Sequence, residues 1–153
     1  MLHEMSPEDL TREIQTVRDF GWVVCDWRAR ACQGAPSDEE LDAYAETVGL
    51  SAMGEATSPQ KGGWRETTAT ESRSILSHRA RHSLAYGEET VPSAGTSAEL
   101  IEPFFEAFAV TGRFFTNVAE TGEWWPKTRH TFDSGVIVVD TKTIGLVWFA
   151  EED

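Results

Sequence analysis

The chain has 153 residues and a mass of 17.0 kDa, and its 40% apolar and 25% charged residues are the proportions of a globular domain, which excludes a disordered chain. Its 26 acidic against 13 basic residues leave a net charge of −13, a field that repels phosphate backbones and anionic lipid and so argues against direct binding of nucleic acid or membrane. The charge is uneven, at −7 over residues 1–50, −1 over 51–100 and −5 over 101–153.

A chain of this length buries about 70% of the surface its unfolded form exposes, so a single domain needs no disulfide or metal staple. Apolar runs such as 135–139 fall far short of the ~20 residues that span a bilayer. The start, residues 1–5, lacks a basic segment followed by an apolar one, and the expectation is a cytoplasmic protein without an export signal. Cys25 and Cys32, seven apart, are too few for a disulfide framework and read as one buried thiol and one loop thiol.

In chain order, Ser6-Pro7-Glu8-Asp9 announces a helix by a serine cap, a proline in the first turn and two acids facing the positive end of the dipole. Leu10, Ile14 and Val17 share its apolar face, and Gly21 is placed to end it. Residues 22–27 follow as a strand with Val23, Cys25 and Trp27 on one side. After a turn at 33–36, Ser37-Asp38-Glu39-Glu40 forms a capping box in which Glu40 is positioned to reach back to Ser37. The helix it opens buries Leu41, Tyr44, Ala45 and Val48, ends at Gly49, and leaves Asp38, Glu39, Asp42 and Glu46 largely on the wet face.

Residues 50–63 are rich in Gly, Ser, Pro and Thr and read as a long loop, after which Trp64 re-enters the core. The stretch 72–86 fits both periods and is assigned to a helix. Thr96-Ser97-Ala98-Glu99 is a second capping box, opening a helix whose Leu100, Ile101, Phe104, Phe105 and Phe108 face the core and which runs to near Gly112, with Pro103 expected to kink it or to move its start. Residues 113–118 read as a strand and 121–123 as a turn. Residues 136–140 and 144–150 read as a hairpin joined by Thr141-Lys142-Thr143. The fold class is therefore α+β, with about four helices, in one layer, on a mostly antiparallel sheet that ends in a C-terminal β-hairpin.

Few constellations carry chemistry. His78 and His82 are four apart on the assigned helix, but Arg79 and Arg81 beside them oppose a dication, so no metal is expected; the strip formed with Arg73 is the one basic concentration and suits an anion or a ligand carboxylate, although such a strip more often pairs with the protein's own acids. Cys25, Asp26 and a distant His130 contain the ingredients of a nucleophile site, but the surroundings of Cys25 suggest a packed, protonated thiol. Asp133-Ser134-Gly135 lacks the glycine pattern of a nucleophile elbow and reads as a turn before the hairpin. No phosphate-cradling loop is present, and neither a catalytic set nor a cofactor is expected.

The acidity serves solubility or a face that meets a basic partner. The second reading makes the chain a small binding module, of the immunity-protein or inhibitor class, that neutralises a nuclease-type toxin or defence protein through Asp38, Glu39, Asp42 and Glu46. The alternative is a small enzyme or ligand-binding protein with a pocket between the Phe104–Phe108 helix and the sheet. The last strand reads as a possible edge through which two copies pair, with residues 151–153 discouraging unwanted pairing. Ten arginines against three lysines point to a GC-rich bacterial or phage genome.

Overall fold

Two apolar runs set the architecture. Residues 136–139 and 144–150 are buried at every position, and a strand buried at consecutive residues has both of its faces covered. The computed structural model, which describes residues 6–17, 22–50, 64–81, 101–108, 112–118 and 132–151, shows what covers them.

The elements are α1 (Pro7–Val17), β1 (Trp22–Ala29), α2 (Asp38–Thr47), β2 (Arg65–Thr67), α3 (Ala69–Arg81), α4 (residues 101–106), β3 (Arg113–Thr116), β4 (Phe132–Val139) and β5 (Thr143–Glu151). The five strands form one antiparallel sheet in the order β1-β5-β4-β3-β2. The expected α+β class and the terminal hairpin are both present.

The side-chain alternation of each strand divides the core in two. On one face Val23 and Cys25 of β1, Val136 and Val138 of β4, and Val147 and Phe149 of β5 pack against Leu10 and Ile14 of α1, Leu76 of α3, and Ile101, Phe104 and Phe105 of α4. On the other, Ile137, Val139, Ile144, Leu146 and Trp148 pack against Leu41, Tyr44 and Ala45 of α2, with Trp64 stacked edge-on to Trp148 at 5.7 Å. Helices thus lie on both sides of the sheet, which corrects the single helical layer. A one-layer arrangement would have exposed every second residue of the run 136–139.

Three boundaries move for local reasons. The segment Asp133-Ser134-Gly135 lies in the first half of β4 and is not a turn, and all three residues pair with β5. Gly135 is required there because a Cβ would stand 2.2 Å from the Val147 carbonyl oxygen and 2.6 Å from the Trp148 ring. The hairpin turn begins at Asp140, whose side chain accepts the N–H groups of Lys142 (2.8 Å) and Thr143 (2.7 Å), leaving Thr143 as the first residue of β5. Pro103 lies within the described part of α4, which ends at 106, well before Gly112.

The largest correction concerns the last strand. β5 is hydrogen-bonded to β1 on one side and β4 on the other, so it is central and offers no edge for pairing two copies. Among the described residues the edges are β1 and β2. Leu50 also leaves the expected loop: it is fully buried and its N–H bonds Ala45 O at 3.0 Å, closing the end of α2 beside Gly49, whose φ is 95°. Residues 51–63, the capping box at 96–99, Gly21 and the turn at 121–123 lie outside the described residues.

Candidate functional site

The acidic helix α2 is built as a rigid element. Ser37 caps it as expected, its hydroxyl accepting the Glu40 N–H at 3.2 Å. Glu40 does not complete the box. Its carboxylate instead grips Arg30 in a two-pronged pair at 2.7 Å and 2.7 Å, with the two side chains only 4% and 9% exposed. Arg30 also donates to Gly34 O at 2.8 Å and Asp140 O at 3.4 Å, so one guanidinium joins the end of β1, the loop before α2 and the hairpin turn. A charge-assisted pair with matched planar geometry outcompetes the single bond a capping box would have gained.

Along the flank facing β1, the Tyr44 hydroxyl donates to Asp26 at 2.6 Å and Arg28 donates to the same carboxylate oxygen at 2.9 Å. Arg28 also lies over the Tyr44 ring at 5.3 Å and donates to Thr47 at 3.3 Å. Burial, and then the bond to Asp26, raise the Tyr44 hydroxyl well above its ordinary pKa, so it stays a donor.

The four predicted acids separate by role. Asp38, Glu39 and Glu46 are exposed, whereas Asp42 is half-buried and accepts the Trp64 indole N–H at 2.9 Å, tying the other flank of the helix to the core. Asp38 and Glu39 lie in the first turn, where negative charge suits the helix dipole. Glu46 lies in the last turn, which has no basic residue of its own, although Arg28 of β1 reaches that end through Thr47, and the helix dipole disfavours an acid there. Glu39 and Glu46 are seven apart and share one exposed stripe.

Of the remaining candidates, only some are among the described residues. His78 is exposed on α3, Arg79 and Arg81 fall on its backbone without described side chains, and His82 lies outside the described residues. Arg73 is engaged with Glu102 at 3.0 Å and lies over the Phe105 ring at 4.4 Å, a pair bridging α3 and α4. Among the described residues no group of three or more His, Cys, Asp or Glu could hold a metal ion. Cys25 and Asp26 are adjacent on β1 and point to opposite faces, one towards α1 and one towards α2, and His130 is not described. Burial pushes the Cys25 thiol up to about 12, and Cys32 is exposed. Between α4 and the sheet the described space is filled by rings: Phe104 lies 5.2 Å from Phe108 and 6.2 Å from Trp27, and a Cβ on Gly145 would come within 2.5 Å of Phe108.

A polar cluster that the sequence reading missed sits under β3 and β4. Asp133, fully buried, accepts from Asn117 at 3.1 Å and from the Trp148 indole at 3.3 Å, while Asn117 accepts the Gly135 N–H at 3.3 Å and donates to Asp133 O at 3.0 Å. Asn117 thereby replaces a ladder bond where β3 ends. The signal was a lone Asp inside an otherwise strand-like run.

Fold and site together define a class: an α+β domain whose antiparallel sheet is covered on both faces and which displays an acidic helix fixed along both flanks. The chain matches no protein-family model, no curated protein and no solved structure. No helix among the described residues is long and apolar enough to cross a membrane.

Proposed function

We propose that this chain is a small acidic binding module that neutralises a basic protein, of the kind a nuclease-type toxin or defence protein presents, by setting carboxylates against the surface that otherwise receives phosphate. The observation that carries the reading is Glu46. An exposed acid in the last turn of a helix that has no basic residue of its own there is opposed by the dipole, so α2 itself gives no reason for it. It extends the stripe begun by Glu39, beside Asp38. Rigidity supports the same reading, because a preformed helix loses little freedom on docking, and a net charge of −13 steers a basic partner to it. The expected setting is the cytoplasm, where Cys25 and Cys32 remain free thiols.

The test uses the whole chain as bait in a lysate of the organism that encodes it, beside Asp38→Asn/Glu39→Gln/Glu46→Gln. Asp42 is left intact because it holds Trp64. A basic protein retained by the wild-type chain at low salt, released at high salt and lost from the triple variant is the expected outcome. Equal retention by the two baits contradicts the assignment of this face.

A further inference from the structure

β3 ends at Thr116, whereas β4 extends past the last shared pair, Thr116 with Val136, through Gly135 and Asp133 to Phe132. The backbone groups that β4 turns towards β3 beyond that pair still need partners. In an antiparallel ladder alternate residues turn both backbone groups to the same neighbour, so the next rung would join residue 117 to Gly135 by two backbone bonds. Side chains supply both bonds instead. The Gly135 N–H donates to Asn117 Oδ1 at 3.3 Å, and the Thr116 hydroxyl donates to Gly135 O at 2.7 Å. Asn117 also reaches along β4 to the next residue facing the same way, its Nδ2 donating to Asp133 O at 3.0 Å.

The amide of Asn117 works in one orientation only, because its oxygen must meet the Gly135 N–H and its nitrogen the Asp133 carbonyl. Asp133 selects that orientation. Its Oδ1 receives Asn117 Nδ2 at 3.1 Å and the Trp148 indole N–H at 3.3 Å, and an oxygen that takes two N–H donors is acting as an acceptor. The nitrogen end of the amide therefore belongs beside Asp133, which leaves Oδ1 aimed at Gly135. The chain that leaves β3 is fixed at the following residue: the Val118 N–H turns back onto the Thr116 hydroxyl at 3.2 Å, and Val118 O accepts Arg65 Nε at 2.8 Å, with Arg65 held by Glu71 at 2.7 Å.

We propose that Asn117 is a strand terminator built into the sheet, its amide standing in for the backbone that β3 withdraws, and that buried Asp133 is the positioning residue that turns this amide the right way round. Together with the Thr116 hydroxyl, the pair lets β3 stop while β4 continues to Phe132 with these groups bonded. It also fixes the register of the two strands, since a slip of one residue would carry Asn117 to the opposite face of the sheet, away from Asp133 and Trp148.

The test is hydrogen exchange of the full chain, read by NMR. In the wild type the side-chain amide of Asn117 should exchange about tenfold or more slowly than that of Gln33, which is exposed. Equal rates overturn the proposal before any variant is made. The Ile137 N–H, on the neighbouring backbone rung with Phe115, is the internal reference for the variants. Asn117→Ala should raise the exchange rate of the Gly135 N–H relative to Ile137 by about tenfold or more. An unchanged ratio means that the backbone closes the rung by itself, and it overturns the terminator. Asp133→Asn keeps the size of the side chain and an oxygen for the Trp148 indole, but its own amide can turn, so the ratio should rise here as well. A folded Asp133→Asn chain with the wild-type ratio overturns the positioning role.

Discussion

Replacing Glu40 by alanine should destabilise the protein far more than loss of a helix-capping residue would. The Arg30–Glu40 pair is shielded from water, and removing one partner of a buried pair leaves an uncompensated charge at a cost of about 3–5 kcal/mol. Arg30 keeps the carbonyls of Gly34 and Asp140, so the lower end applies, about 3 kcal/mol. For a chain of this size that lowers the melting temperature by about 6–12 °C. If Glu40 instead acted through the cap, Glu40→Ala would cost about 1 kcal/mol, like Ser37→Ala, and Arg30→Ala would be nearly silent. Urea unfolding of Glu40→Ala, Arg30→Ala and the double variant separates the two cases. The pair predicts a coupling of about 2 kcal/mol or more, whereas additive effects would refute it. A double replacement by Met and Leu should cost less than either alanine variant, since apolar residues often substitute for a buried pair, the remaining loss coming from Arg30's bonds to Gly34 O and Asp140 O.

Two further outcomes follow from close packing and from burial. Gly135→Ala should cost about 3 kcal/mol or more, because the added methyl meets the backbone of Val147 and the Trp148 ring, which a rotamer change does not relieve; a melting temperature within about 2 °C of wild type would contradict the packing of β4 on β5. Under native conditions near pH 8 a thiol reagent should modify Cys32 rapidly and leave Cys25 untouched until the chain is denatured, and two fast thiols would contradict the burial of Cys25. The buried thiol ionises only near 12, against an ordinary value of 9.0, because burial outweighs the bond from Thr11 and the neighbouring Asp26 adds to it. Above pH 9 the unfolded chain loses this proton first, so stability falls as pH rises through that window. Cys25→Ala should flatten the fall.

Several elements were legible because their signals were local. Ser6 and Ser37 cap the helices they were expected to cap, and Leu10, Ile14, Leu41, Tyr44 and Ala45 are buried at the positions their spacing required. The uninterrupted run 136–139 already implied cover on both faces of the sheet, but periodicity does not say which helix supplies it. The position of β5 depends on pairing β1 with β5 across more than a hundred residues, and nothing within the last strand marks it as central rather than edge. The fates of Glu40 and Asp42 depend in the same way on Arg30 and Trp64, partners 10 and 22 residues distant in sequence that a helical wheel does not contain. Asp133 was misplaced because Asp-Ser-Gly has turn composition. Its burial becomes tolerable only when Asn117 and the Trp148 indole converge on it.

The central claim is that α2 carries acids for a partner rather than for its own stability, and Glu46→Gln separates these two purposes in one variant. Thermal unfolding should show it equal to or slightly more stable than wild type, by about 0.3 kcal/mol, since an unfavourable charge leaves the negative end of the helix. The same substitution should slow association with the basic protein captured by the wild-type chain, and with Asp38→Asn and Glu39→Gln added the slowing should reach about tenfold at low salt and shrink as salt is raised. A loss of stability in Glu46→Gln with an unchanged association rate in the triple variant would contradict the account.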